Sequence, residues 1–220
     1  MYVPPAFSQL DITVVREFIR AYPLGLVVTA GPAGLCANPI PCLIDPAGEY
    51  GRLRFHLASA NPQSIELGVV SECLVAFQGP NAYISPNWYP SKKESGKVVP
   101  TWNYLAVHVW GRPRVIDDPE WIRRQIEDLT REQERGTAPW HVADAPGHFI
   151  TSQQKGILGV EVDIDRVAAK WKLSQNRSEA DRRGVASGLR SETGPGGQLA
   201  RFMDDPALRN GDDDPTSSAR

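Results

Sequence analysis

The apolar positions of the chain recur with two different periods. Asp11 stands where a helix cap is needed, and Val14, Val15, Phe18 and Ile19 form one apolar face up to about Ala21, with Pro23 as the stop. Leu24 to Ala30 (LGLVVTA) is β-rich, Gly31-Pro32-Ala33-Gly34 reads as a turn, and Leu35 to Ile44 resumes as an extended, proline-interrupted strand. Leu53, Phe55 and Leu57 alternate with Arg54, His56 and Ala58, the period of a half-buried strand. Asn61-Pro62 opens a short helix to about Val70. Leu74 to Phe77 and Ala82 to Ser85 predict two strands around Gly79-Pro80, and Asn103 to Ile116 predicts one long strand with a bend near Gly111. Pro119 follows Asp117 and Asp118 at the first turn of a helix whose apolar stripe is Ile122, Ile126 and Leu129. Ile157 to Ile164 is the last predicted strand, with helical turns expected around Val167 to Trp171 and Glu179 to Leu189.

About seven strands with a few helices, no regular βαβ alternation and no G-x-G-x-x-G loop argue against a doubly wound sheet. The expected class is mainly β with flanking helices (α+β), built as a small antiparallel barrel. With 220 residues, one domain over 1–190 is expected, and the Gly-, Pro-, Asp- and Ser-rich stretch 191–220 reads as a disordered acidic tail. Lys and Arg number 24 against 26 Asp and Glu, a net charge of -2, which disfavours tight binding to a phosphate backbone. The three cysteines, Cys36, Cys42 and Cys73, form no C-x-x-C pair, so neither a zinc module nor a disulfide scaffold is expected. The opening residues have no basic region or apolar core, and no apolar run approaches the ~18 residues of a membrane span, so a cytoplasmic protein without a signal peptide or membrane segment is expected.

Three segments are unusually rich in chemistry. They are Ala82 to Tyr89 (AYISPNWY), Val99 to Tyr104 (VPTWNY) leading to His108, and Lys172 to Arg177 (KLSQNR). Interleaved aromatic and hydrogen-bonding groups suit a flat heteroaromatic ligand, and equally a core or subunit interface that uses Trp and Tyr for area. Asn103, between two aromatics, has the donor and the acceptor to read a ring edge. Lys92, Lys93 and Lys97 predict a solvated loop or a positively charged lid. Lys172 and Arg177, with Arg182 and Arg183, are the best candidates for contact with a phosphate. No nucleophile–base–acid triad, H-E-x-x-H or G-x-S-x-G elbow is present, so any catalysis would be carried by a cofactor.

The order MYVPPAF, HLASANPQ, FQGPNAYISPNWY, VPTWNY-x-x-VH, KGILGVEV and KLSQNR resembles the PaiB family of FMN-binding negative transcriptional regulators, from about Met1 to Leu189. The resemblance implies a split β-barrel that binds FMN and works as a cytoplasmic homodimer with two flavin sites between the subunits. It implies negative regulation, named for extracellular protease synthesis and sporulation, with DNA as a candidate partner that the weak basic balance of the chain disfavours. It also implies that His56 and Asn61 line the flavin edge, with Ser85, Trp88, Tyr89, Thr101, Trp102, Asn103 and Tyr104 as further cofactor-binding residues. The chain departs from the family pattern at Pro39, Ser59 and Ser64, where His, Arg and an aromatic are common. Two rival readings are a flavin-dependent oxidoreductase acting on a small molecule, and a haem-binding barrel with His56, His108 or His148 as nominal axial ligand.

Overall fold

The computed structural model describes residues 1–32, 34–191 and 196–204. In chain order the elements are α1 (Ile12–Ala21), β1 (Leu24–Gly31), β2 (Gly34–Pro41), β3 (Leu43–Asp45), β4 (Arg52–Ala58), α2 (Gln63–Leu67), β5 (Cys73–Ile84), α3 (Ser91–Ser95), β6 (Thr101–Ile116), α4 (Pro119–Gln133), α5 (Gly147–Gln154), β7 (Ile157–Lys172), α6 (Glu179–Ser191) and α7 (Gly196–Asp204). The seven strands form an antiparallel sheet in the order β2-β1-β5-β6-β7-β4-β3. Two compact units share the chain. The first holds Met1–Val15, Gln78–Val107 and Ala168–Arg220, and the second holds Arg16–Phe77 and His108–Val167.

In the second unit, β1 and β2 form a hairpin with Leu24 opposite Pro41 and Gly31 opposite Gly34, and β1 continues onto β5 with Val27 opposite Val75. β4 pairs with β3 on one side and with β7 on the other, Phe55 facing Val160. The core is the inward set of this alternation: Val27, Leu53, Phe55, Val75, Phe77, Val109, Val160 and Val162 are all buried. Gly111 marks a close approach between β6 and β7, because a Cβ there would fall 2.0 Å from the Asp163 carbonyl oxygen. α2 is tied to the hairpin by the buried Gln63. Its Nε2 donates to the Val27 carbonyl at 2.9 Å, and its Oε1 accepts from Asn38 at 2.9 Å.

The Asp118 side chain caps α4 by accepting from the Glu120 and Trp121 amides. The Trp121 ring fills the space over Gly159, where a Cβ would lie 2.2 Å from it, and its indole N–H donates to Glu161 at 2.8 Å. Arg114 and Arg52 pair with the same carboxylate. Arg54 joins β4 to both Asp45 and Asp128.

In the first unit, the chain start runs beside the end of β7. Ser8 bridges Lys170, and the Gln9 amide donates to the Ala169 carbonyl at 3.1 Å. α6 begins after Ser178, whose hydroxyl accepts from the Asp181 amide, and Asp181 in turn accepts from the Ser91 amide and hydroxyl at 3.1 and 2.8 Å. α7 lies against α6, with Leu199, Ala200 and Met203 buried and Arg190 paired with Asp204.

Four expectations are corrected. Gly79-Pro80 does not break β5, which is one strand of 12 residues. Its register with β1 ends at Ala76, so Pro80, which has no N–H to give, removes no bond from that ladder. Val167 to Trp171 continues β7 instead of turning helical. The alanines suggest a helix, but the chain start supplies a backbone partner there and tertiary pairing prevails. Ser91–Ser95, in the expected lysine loop, is a short helix. The expected disordered tail contains α7, because composition averaged over 191–220 hides the apolar face of Leu199, Ala200 and Met203. The rest of that tail, 192–195 and 205–220, lies outside the described residues.

Candidate functional site

The first unit brings together the three segments that stand out in the sequence. Along β6 the side chains alternate, so Asn103, Leu105 and Val107 point into the core while Trp102 and Tyr104 take the opposite face. At the strand's start, Thr101 accepts a hydrogen bond from Lys172 Nζ at 2.5 Å. Two residues on, the fully buried Asn103 donates from Nδ2 to Ser174 Oγ at 2.9 Å, and that hydroxyl donates back toward Oδ1 at 3.3 Å. Ser174 has φ 64°, left-handed for a residue with a side chain, in the turn that ends β7. That turn is held by the Leu173 amide donating to Gln175 Oε1 at 2.7 Å and the Arg177 amide donating to the Ser174 carbonyl at 3.0 Å.

The AYISPNWY segment meets the same region. Arg177 lies 5.1 Å above the Tyr89 ring. Tyr89 is buried, and its hydroxyl has no hydrogen-bond partner among the described residues. Ser85 accepts from the Asn87 amide at 3.2 Å and so caps the 3-10 turn Pro86–Trp88. Trp88 packs on α6 over two glycines: a Cβ on Gly188 would fall 2.3 Å from its ring, and one on Gly184 would fall 2.1 Å from its carbonyl oxygen. Tyr83 and Trp102 meet edge to face at 6.4 Å and remain 48% and 53% exposed. Tyr104 lies 5.2 Å from Lys170 Nζ. Lys92 Nζ donates to Asn87 Oδ1 at 2.5 Å.

His56 and Asn61 belong to the second unit. His56 stands on β4 opposite Gly159. Its Nδ1 is buried without a partner among the described residues, and burial lowers its pKa, favouring the neutral ring. Asn61 Oδ1 accepts from the Gln63 amide at 3.0 Å and starts α2. The His108 ring meets Trp110 at 5.7 Å, Trp110 lies under Arg166 at 4.0 Å, and His148 is exposed. Burial raises the thiol of Cys73 to about 12 and that of Cys42 further, so both stay protonated. Among the described residues no group of three His, Cys, Asp or Glu side chains is placed to hold a metal ion. No helix among them is long and apolar enough to cross a membrane.

Seven of the nine candidates therefore share one unit, in four local groupings. Trp88 and Tyr89 sit with α6 and Arg177, Thr101 and Asn103 with the end of β7, Trp102 with Tyr83, and Tyr104 with Lys170, while Ser85 caps the turn before Trp88. Tyr83 and Lys170 are the additions to the sequence reading. Lys170 carries no motif signal except its spacing of two from Lys172.

A family described as "Putative FMN-binding domain" matches residues 1–166. The Bacillus subtilis "Protease synthase and sporulation protein PAI 2" is 31% identical, over 93% of this chain and 97% of its own length. A fungal protein from Emericella nidulans is 33% identical over 86% of this chain and 90% of its own. Among solved structures, the flavocytochrome Anf3 from Azotobacter vinelandii superposes with a TM-score of 0.55 at 14% identity, covering 80% of this chain and 75% of that one. The FAD and heme binding protein from Mycobacterium smegmatis gives 0.55 at 15% identity, covering 82% and 80%. These structural likenesses show the fold, the split barrel expected from the sequence.

Proposed function

The chain belongs to the FMN-binding domain family, and on that premise we propose that it holds FMN on the aromatic face of its first unit and acts as a PaiB-like negative transcriptional regulator, as a cytoplasmic homodimer. The observation that carries the flavin reading is the Tyr83–Trp102 pair, whose two rings remain about half exposed. An isoalloxazine needs flat apolar surface and polar groups along its edge, and this donor set fits it. When bound, the flavin supplies a redox-active ring. Trp102 and Tyr83 would provide the surface, and the buried Asn103–Ser174 pair braces the start of β6 from its core side. The buried Tyr89 hydroxyl keeps a hydrogen bond in reserve. Two aromatic rings about half exposed on one chain support a homodimer that covers them. The regulatory reading is supported by the name of the Bacillus relative.

The test is an absorption spectrum and FMN titration of the purified full chain. Flavin bands are expected, and Trp102→Ala should weaken FMN about fivefold or more with little change in melting temperature. A wild-type chain that takes up no FMN overturns the cofactor reading. Light scattering that gives the mass of a single chain overturns the dimer. Unchanged transcripts in cells lacking the protein overturn the regulatory role.

A further inference from the structure

We propose that the cavity between α6, α7 and the turn after β7 is a binding site for a small monocarboxylate with an apolar body. The cavity holds about 670 Å³, within the range that small-molecule sites use. Its walls come from residues 173–204, beyond the stretch 1–166 that matches the FMN-binding family. None of Tyr83, Trp102 and Tyr104 lines it. One wall is α6, where Glu179, Arg182, Arg183, Ala186 and Arg190 recur at spacings of three and four and so form a single stripe. Gly184 and Gly188, which seat Trp88, lie on the other side of that helix. Leu173, just past β7, and Phe202 and Met203 of α7 supply an apolar floor.

The polar groups of this cavity are not balanced. Three arginines line it against two carboxylates. Arg183 pairs with Glu179 at 3.2 Å, and Arg190 pairs with Asp204. Gln175 is used within its own turn, accepting from the Leu173 amide at 2.7 Å and donating to the Trp171 carbonyl at 2.5 Å. Arg182 is half-buried, and its side chain has no hydrogen bond or ion pair among the described residues. One guanidinium is therefore left over beside an apolar floor. Its planar fork of N–H donors matches the two oxygens of a carboxylate. A phosphate dianion, for which Arg182 and Arg183 are the sequence candidates, is matched less well, because the pairs to Glu179 and Asp204 leave a single positive charge. A wholly polar acid would leave Leu173, Phe202 and Met203 uncovered, so the body of the ligand is a ring system or a medium-length chain.

The experiment titrates the purified full chain with 1-naphthylacetate and octanoate, and with their neutral analogues 1-naphthylacetamide and octanol, following heat of binding and melting temperature. At least one carboxylate should bind and raise the melting temperature, and its neutral analogue should bind about tenfold more weakly or worse. The preferred acid tells ring from chain. Arg182→Gln should bring that acid down to the level of its neutral analogue, and Arg182→Lys, which keeps the charge without the fork, should fall between. The ligand-free melting temperature of Arg182→Gln should stay close to wild type, because Arg182 holds nothing in place. Ala186→Leu, which narrows the floor, should weaken acid and neutral analogue alike. Neither carboxylate binding to wild type, an affinity unchanged in Arg182→Gln, or displacement of the bound acid by FMN overturns the proposal. A chain that takes up no FMN but binds the acid through Arg182 supports this site and removes the flavin reading, and FMN uptake without acid binding does the reverse.

Discussion

Asn103 and Ser174, 71 residues apart, satisfy each other in the core of the first unit. The amide both gives to and receives from one hydroxyl, and that hydroxyl belongs to a residue held at positive φ. The pair fixes the start of β6 against the turn that carries Gln175, Asn176 and Arg177. Asn103 is thereby a positioning residue within the chain, and Trp102, its neighbour, is the one that faces outward.

Asn103→Ala should lower stability by about 1–3 kcal/mol, because a buried hydroxyl loses its partner. Ser174→Ala should cost a similar amount. The double variant should cost less than the sum, with a coupling of about 0.5 kcal/mol or more. Urea melts of the four proteins check this, and strict additivity would mean the bond contributes nothing.

Gly188→Ala should destabilise by about 1–3 kcal/mol through overpacking against the Trp88 ring. Gly184→Ala should be worse, since its Cβ would meet the backbone oxygen of Trp88 at 2.1 Å and not a ring that can tilt. Thermal melts of the two variants should rank them in that order.

Truncation after Ser191 should be harmful. It removes Leu199 and Met203 from the face of α6 and exposes Leu189. The expected loss is about 2–5 kcal/mol, the scale of emptying one large buried side chain, read as a lower urea midpoint. An unchanged midpoint would show that α7 adds nothing to the fold.

His56 should make stability depend on pH. Burial lowers its folded pKa, so below about 6.5 the unfolded chain binds the proton first. The contribution is complete above that pH and is lost as pH falls through the lowered folded value. His108 is shifted in the same direction by burial. Denaturant midpoints from pH 8 to pH 5 should fall for wild type, and the fall should be shallower for His56→Gln.

Much of the fold was legible because its signals are local. Asp11 caps α1, Asp118 and Pro119 open α4, and Leu53, Phe55 and Leu57 point inward from β4 as their alternation demands. The end of β7 was not legible. Val167 to Lys172 has no clean alternation of burial, and its strand character comes from its place beside β6 and a bridge to Ser8, partners that no window of sequence contains. α7 was hidden by the glycines and aspartates around it. For the candidate site, residue types could be singled out but not their partners. Thr101 with Lys172 and Asn103 with Ser174 are each separated by 71 residues, so only tertiary structure joins the motifs. Lys170 shows the same limit. A lysine in a strand reads as a solvated side chain until the chain start folds over it.

The seat of Trp121 gives α4 an optical gauge. Its indole lies over Gly159 and donates to a carboxylate, so its fluorescence is tied to whether the helix is docked on β7. Burial favours the neutral acid at Glu161, but Trp121, Arg114 and Arg52 outweigh it and hold the carboxyl below its ordinary range. The anchor therefore persists above the ordinary carboxyl range and fails only as acid reaches the lowered value. A red shift of that emission during acid titration would mark the helix leaving the sheet, separately from the colour of any flavin.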